Sequence, residues 1–424
     1  MTHPLFDNAL KTARPDTIKR LFPNSRALLV SGQYIDRAMI AHQKAMCIAV
    51  NGRNSFVIAG ALRAAQKANS VLIVEIARSE GGTSAYCPVN YWNIARITDA
   101  FCNQMGITIP VAIHADHFGI KKEADIDIAK MEIPTLFEAG ITSIAIDASH
   151  LPDLENLNAN IELNQVVPNW AGLETEVGEI KGAQGLSTPQ DALFLIEGLN
   201  AHNIFPDWIA LNNGTTHGIE VDGQGIQVAL TKEIHEALAP YATSGAQHGT
   251  SGNSMDRLRQ IAQTTRTTKA NVATALQMLS WGLKVNENGN AEIINGAFVK
   301  EPNEGMTNEL WAEMVAHATK NNWSLNDYKK FNLLFDTKFQ AQPTEIRERM
   351  IRRVENFVYH LMTNVFNSAN TADIALDLMA ESGTPMPKAK ARRIVNPDDW
   401  TPEKTTARAA LLTPDKGPAG DFDD

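Results

Sequence analysis

The chain has 424 residues, 44% of them hydrophobic, which is enough for one large domain with an extension or for two domains. Its 38 basic and 48 acidic residues leave a net charge of −10, which argues against a nucleic-acid partner while still allowing a local cationic pocket for a small phosphate. Cys47, Cys87 and Cys102 are widely spaced and form no zinc or redox motif, there is no 18-residue apolar run, and the N-terminus lacks a basic segment followed by a long apolar one. A cytoplasmic protein with no membrane span and no secretory signal is therefore expected.

Residues 1–30 are mixed in character, and Tyr34 to Met46 has helical spacing. A rhythm then begins. Strands are predicted at 45–51, 70–76, 110–115, 143–147, 170–176, 207–212, 243–248 and 267–272, from short apolar runs bounded by turn residues. Helices are predicted between them near 56–68, 91–104, 125–138, 154–166, 189–201, 232–238 and 253–263, with a last one at 273–281. Eight alternations imply parallel strands with crossover helices, and the span is close to the ~250 residues of a closed (β/α)8 barrel. An open doubly wound sheet would carry a glycine fingerprint after its first strand. That turn is Asn51-Gly-Arg-Asn54, and no G-x-G-x-x-G or P-loop occurs.

The fold class expected is thus α/β, a (β/α)8 TIM barrel over 31–285 preceded by an N-terminal segment at 1–30. A helical C-terminal extension follows at 286–394, with a charged, loosely held tail at 395–424. The amphipathic stretch Arg347–Met362 reads as a packing face, on the barrel or on a second subunit.

Barrel enzymes place their chemistry at the C-terminal ends of the strands. Those ends carry Asn51, Ser79, Asp116, His117, Asp147, Glu176, His217, His248 and Asn271. Three of the eleven histidines fall at or just beyond the ends of strands three, six and seven, with carboxylates between them. Three imidazoles leave open positions on a divalent ion such as zinc, the catalytic arrangement. Asp116 and His117 are neighbours, and neighbours on a strand face opposite ways, so both serve one site only if the strand turns there; Phe118-Gly119 would supply the turn. His248-Gly-Thr-Ser-Gly252 and Asn271-Val-Ala-Thr274 each lead into a helix, which suits phosphate binding by backbone N–H groups; ordinary capping by Ser251 and Thr274 is the alternative.

These residues resemble the class II, metal-dependent ketose-bisphosphate aldolases, which include fructose- and tagatose-bisphosphate aldolases. The resemblance runs from about Leu29 to about Leu279. It is carried by HADH at 114–117, IDASHLP at 146–152, ETEVG at 174–178, HG at 217–218, HGTSG at 248–252 and NVAT at 271–274. It implies that His117, His217 and His248 hold a catalytic zinc or another divalent ion, and that Asp147 and Glu176 form an alternate or second metal position. It implies Asp116 as the proton-transfer residue, Gly218, Gly249, Ser251 and Thr274 as phosphate contacts, and Asn51, Ser79 and Asn271 as substrate contacts. A monovalent cation is an open addition. The implied reaction is aldol cleavage or condensation of a phosphorylated ketose resembling fructose 1,6-bisphosphate. Its products are dihydroxyacetone phosphate and an aldehyde, formed by a cytoplasmic homo-oligomer, dimer or tetramer. No Schiff-base lysine is required, and Lys269, within strand eight, is expected to be structural.

The sequence also departs from the family pattern. The loops after Gly178 and Gly218 lack the usual acidic residues and lysine, and Ala273 replaces an aspartate. The group that exchanges a proton at the nucleophile carbon is therefore not identified. A different phosphorylated ketose, or a non-catalytic accessory subunit, are the competing readings.

Overall fold

Eight parallel strands close on themselves in sequence order in the computed structural model, which describes residues 4–82, 85–178, 185–215, 225–286 and 288–412. They are β1 (Cys47–Asn51), β2 (Leu72–Ala77), β3 (Val111–Gly119), β4 (Ser143–Asp147), β5 (Gly172–Val177), β6 (Trp208–Leu211), β7 (Ser244–Gln247) and β8 (Thr267–Val272). Closure pairs Cys47 with Lys269 and Ala49 with Asn271. The expected barrel is present, with a helix after each strand.

Period-2 alternation decides what faces inward. Outward residues such as Val50, Val74, Ile113 and Ile144 are fully buried under the crossover helices. The inward set turns polar toward the C-terminal ends: Asn51, Glu75, His114 and Asp116, Glu174 and Glu176, Lys269 and Asn271, all buried. The N-terminal end of the barrel is plugged by the helix Gly32–His42, whose Tyr34, Ile35, Ala38 and Met39 pack on Ala49, Ala112, Trp208 and Ala210. Gly172 permits this approach, since a Cβ there would lie 2.8 Å from the Gly32 Cα.

β3 differs from expectation in a way that matters for the site. Phe118 and Gly119 do not form a turn; they stay in the strand, paired with Ile146 and Asp147. The break comes one residue earlier. His117 has φ +41°, and the register with β4 shifts between Ala115 and Phe118. This left-handed kink lets neighbouring residues reach one site, at the steric cost a β-carbon incurs in that region.

The extension packs on the barrel of its own chain. Helix Thr344–His360 lies on helix Ser55–Ala68, burying Met350, Ile351, Val354 and Val358. Gly60 sets the spacing, because a Cβ there would lie 2.7 Å from the Ile351 carbonyl oxygen. An aromatic core of Trp281, Phe298, Trp311, Tyr328, Phe331 and Phe339 joins the extension to the last barrel helix. A short antiparallel pair, Ile293–Ile294 with Ala297–Phe298, precedes its helices.

The segment expected to be a loose tail is held as far as residue 412. Trp400 is buried against Phe194, with ring centroids 5.5 Å apart, and the helix Pro402–Ala409 follows it. One tryptophan supplies enough apolar area to overcome the charge around it. The remaining tail residues lie outside those described. The N-terminal segment forms two short helices, Phe6–Thr12 and Asp16–Leu21, anchored by buried Phe6 and Ile18. No described helix is long and apolar enough to cross a membrane.

Lys390 ties the extension to the plugged end. Its ammonium pairs with Asp36, lies 3.9 Å from Asp207 and donates to the Ala242 carbonyl at 3.0 Å. Burial pushes the Asp207 carboxyl up to about 6 despite this cation. Lys390→Met leaves two buried carboxylates with only the more distant Arg37 as counter-ion, and a loss of about 3 kcal/mol is expected in urea unfolding. An unchanged midpoint would show that the tie contributes nothing.

His235 is buried against Gly245, its Nδ1 accepting from the Arg266 amide at 3.3 Å. Burial and the Arg266 charge pull its pKa down to about 3. The folded state therefore refuses a proton that the unfolded chain accepts near 6.5. This contribution to stability is complete above pH 6.5 and is lost as pH falls toward 3. Between pH 7.5 and 5 the wild type should lose about 2 kcal/mol that His235→Gln retains. Parallel pH dependences in the two proteins would refute the assignment.

Candidate active site

The C-terminal ends of the strands enclose a cavity of about 570 Å³ lined by Asn51, Asp116, His117, His248, Gly249, Ser251, Asn271 and Thr274, all of them expected site residues. His217 and Gly218 lie outside the described residues. Ser79 sits in the helical turn Arg78–Gly81 and does not line the cavity. Arg53 and Glu80 occupy that side instead, as a buried ion pair. Burial works against the Arg53 charge, and Glu80 holds the guanidinium protonated.

The kink at His117 brings its Nδ1 to 3.4 Å from both Asp147 Oδ2 and Glu176 Oε2. The His117 and His248 rings are 4.2 Å apart, centroid to centroid. His248 Nε2 lies 2.9 Å from Glu174 Oε1. A carboxylate only accepts, so Nε2 carries a hydrogen, and in the neutral ring the lone pair is on Nδ1. That Nδ1 is buried with no hydrogen-bond partner, and so is Glu176 Oε2, 3.9 Å away. A cation between them would satisfy both, since the ring nitrogen near Glu176 Oε2, His117 Nδ1, is 3.4 Å away and lies equally near Asp147 Oδ2. Two sets of donors converge here and share His117, one made of Asp116, His117 and His248 and the other of His117, Asp147 and Glu176; each suits a divalent ion, with Glu174 orienting His248 from behind.

The two carboxylates beside His117 differ. Burial opposes the Asp147 charge, but His117 and the hydroxyl of Ser149, 2.6 Å away, hold it below the usual carboxylate range. Burial and the Asp147 charge push Glu176 above that range.

Asp116 is held separately. Both of its oxygens accept from Asn271 Nδ2 at 3.0 Å, Lys269 Nζ lies 3.3 Å from Oδ1, and the Tyr91 hydroxyl donates to its carbonyl at 3.1 Å. Burial drives its carboxyl upward, and Lys269 with the neighbouring imidazoles more than reverses this, so the group stays ionised.

The capping alternatives do not hold. The helix after β7 is capped by the Ser254 hydroxyl, and Ala273 at the start of helix Thr274–Trp281 offers no side-chain cap. Ser251 and Thr274 therefore face the cavity without a capping duty, Thr274 accepting from Arg53 Nη1 at 3.4 Å. Lys269 is fully buried between Glu174 at 2.8 Å and Glu75 and Asp116, each at 3.3 Å. Glu75, Glu174, Arg53 and Glu80 were missed as site residues. For Glu174 and Lys269 a signal existed, each lying two positions before an expected site residue on the same inward strand face.

A family model of class-II fructose-bisphosphate aldolase matches residues 35–371. The chain is 30% identical over 179 residues to the fructose-bisphosphate aldolase of Mycoplasma pneumoniae, covering 42% of this chain and 57% of that protein. It is 29% identical over 228 residues to that of Streptococcus pneumoniae, covering 51% and 69%. The crystal structure of the YdjI aldolase from Escherichia coli superposes with a TM-score of 0.54 at 18% identity, over 81% of this chain and 99% of that one, which is a likeness of fold. A barrel with this donor set, matched by one family model from the plug helix to the extension, belongs to the class-II fructose-bisphosphate aldolase family of lyases.

Proposed function

We propose that the protein is a zinc-dependent aldolase cleaving or forming a phosphorylated ketose resembling fructose 1,6-bisphosphate, with dihydroxyacetone phosphate and an aldehyde as the products. The observation that carries the reading is the convergence of His117, His248 and an ionised Asp116 on one cavity, with the unpartnered His248 Nδ1 3.9 Å from Glu176 Oε2. His117 and His248 would hold the ion with His217, and Asp147 and Glu176 would give it an alternate position. When bound, such an ion would supply Lewis-acid polarisation of the ketose carbonyl and charge stabilisation during carbon–carbon cleavage.

The chain's own residues do the rest. Asp116 takes the proton of the C4 hydroxyl in cleavage and returns it in condensation. Asn271 fixes both of its oxygens, so the carboxylate meets the hydroxyl without reorganising. Gly249, Ser251 and Thr274, with Gly218, would receive the phosphate, and Asn51 would reach the substrate from β1. The same reading makes the enzyme a cytoplasmic homo-oligomer, for which exposed Ile128 and Met131 on one helix offer an apolar surface.

One observation favours a variant substrate. The extension contributes Phe298, Leu325, Asn326 and Lys329 to the cavity wall, which Arg53 after β1 and Glu80 after β2 also line. A ketose that differs at its distal end would keep the mechanism and change the fit. Identification of the aldehyde across a panel of phosphorylated ketoses separates the two substrates.

Asp116→Asn should keep its metal and lose cleavage by about 10²–10⁴-fold. Turnover like wild type would remove Asp116 from the mechanism. Elemental analysis should find about one zinc per chain, with activity lost on chelation and restored by metal, and His248→Ala should lose both. Full metal content in that variant would refute the donor set.

A further inference from the structure

His117, read as a metal ligand, depends on a backbone conformation that the rest of the molecule must enforce. An imidazole one residue after the inward-facing Asp116 would point outward from a regular strand. His117 reaches the cavity because its φ is +41°, a left-handed value that costs free energy for any residue with a β-carbon. Such a conformation persists only where its surroundings over-determine it. The described neighbours of the kink do so from both sides.

Before the kink, the Tyr91 hydroxyl donates to the Asp116 carbonyl at 3.1 Å. After it, Arg78 Nη1 donates to the Gly119 carbonyl at 2.7 Å. Between these two bonds Phe118 is fully buried, with the Tyr91 ring stacked at 6.3 Å and the Arg78 guanidinium 4.3 Å from its centroid. The clamp is itself braced. Arg78 Nη2 meets Glu132 at 2.7 Å, on the helix Asp125–Glu138 that follows β3. Tyr91 is fully buried, and its amide donates at 3.0 Å to the carbonyl of Gly81, in the helical turn that also carries Arg78. Downstream, the Ile120 amide donates to the Asp147 carbonyl at 2.7 Å, which ties the end of β3 to the residue whose carboxylate meets His117. Neither Tyr91 nor Arg78 lines the cavity, so any part they take in the chemistry is indirect.

We infer that Tyr91 and Arg78 are positioning residues that clamp the left-handed turn at His117 and thereby set the metal affinity of the site; this rests on the metal-dependent aldolase reading. Their bonds go to the backbone carbonyls of Asp116 and Gly119, so they fix the direction of the main chain on either side of His117. Without them β3 relaxes toward an ordinary extended strand. That turns the imidazole away from His248, Asp147 and Glu176, and leaves Asp116 on the inward face with Asn271. A loosened clamp therefore shows as lost metal and lost turnover, with substrate binding through the phosphate loops retained.

Zinc affinity, measured by competition with a chromophoric chelator, separates positioning from fold stability. Tyr91→Phe deletes one hydroxyl and keeps the ring. It should weaken zinc about 10–100-fold and lower kcat on fructose 1,6-bisphosphate at saturating zinc, with KM held within a few-fold. The metal-free variant should still unfold cooperatively in urea. Arg78→Lys keeps a cation for Glu132 and loses the planar fork, so it should weaken zinc in the same direction, and it covers the case where Tyr91→Phe fails to fold. Tyr241→Phe, which removes a hydroxyl donated to Glu197 just before β7, should keep wild-type zinc affinity. Unchanged zinc affinity in both clamp variants, a fall matched by Tyr241→Phe, or zinc loss only where the metal-free protein is unfolded would each overturn the assignment. A wild-type protein that binds zinc, loses affinity in the clamp variants and cleaves no ketose refutes the aldolase reading and leaves the clamp standing.

Discussion

The Lys269 ammonium, sealed inside the barrel with Glu75, Asp116 and Glu174, is the interaction on which the site depends. Burying one cation costs several kcal/mol, and burying three carboxyls beside it costs more unless their protons are rationed. The barrel solves this by unequal provision of donors. Glu174 receives Lys269 and His248, and Asp116 receives Asn271 and Lys269. Burial opposes the charge on both, and Lys269 leads in holding both ionised. Through Glu174 the same ammonium reaches His248, whose Nε2 points at the carboxylate that Lys269 holds. The lysine is held firmly protonated by its carboxylates against the effect of burial, which makes it a fixed counter-ion and no nucleophile.

That arrangement exists only because the sheet closes. Lys269 is on β8 and Glu75 on β2, and they meet because β1 lies between them in the closed barrel. Parallel alternation then stacks inward residues in layers, polar near the mouth and small or aromatic near the plug. The kink at His117 is the one local departure, and it is what lets Asp116 and its neighbour share a site.

β1 to β4 were legible as short, largely apolar segments between turn residues, each of the length of a buried parallel strand, whereas the more polar β5, β7 and β8 were legible from their place in the alternation with helices. The strand-end residues were legible because closure of the barrel makes them converge whatever the details. What stayed hidden was non-local. Lys269 reads as one more buried lysine until Glu75, nearly two hundred residues earlier, is placed beside it. The Arg53–Glu80 pair links two loops with no common motif. Trp400 sits in a stretch whose composition says solvent, and only its contact with Phe194 shows otherwise. The turn assigned to Phe118-Gly119 failed because glycine is the usual mark of a break, whereas a histidine adopts the left-handed conformation here.

The two ends of the barrel spend their polar groups differently. At the plugged end, Asp36 accepts from Thr268 at 2.7 Å, Thr268 accepts from Trp208 at 2.8 Å, and Asp207 accepts from the Leu173 amide at 3.1 Å. At the mouth, atoms of Asn51, Glu75, Glu176, His248, Asn271 and Gln277 are buried without partners. Each such atom costs about 1–3 kcal/mol, so a cluster of them is expensive for a fold whose whole margin is about 5–15 kcal/mol. The closed barrel and the docked extension make that cost tolerable. The unpaired atoms lie around one cavity, where an ion and a polar substrate would satisfy them. Binding would then return to the fold part of the stability that keeping the mouth unpaired removes, coupling occupancy of the site to the rigidity of the barrel around it.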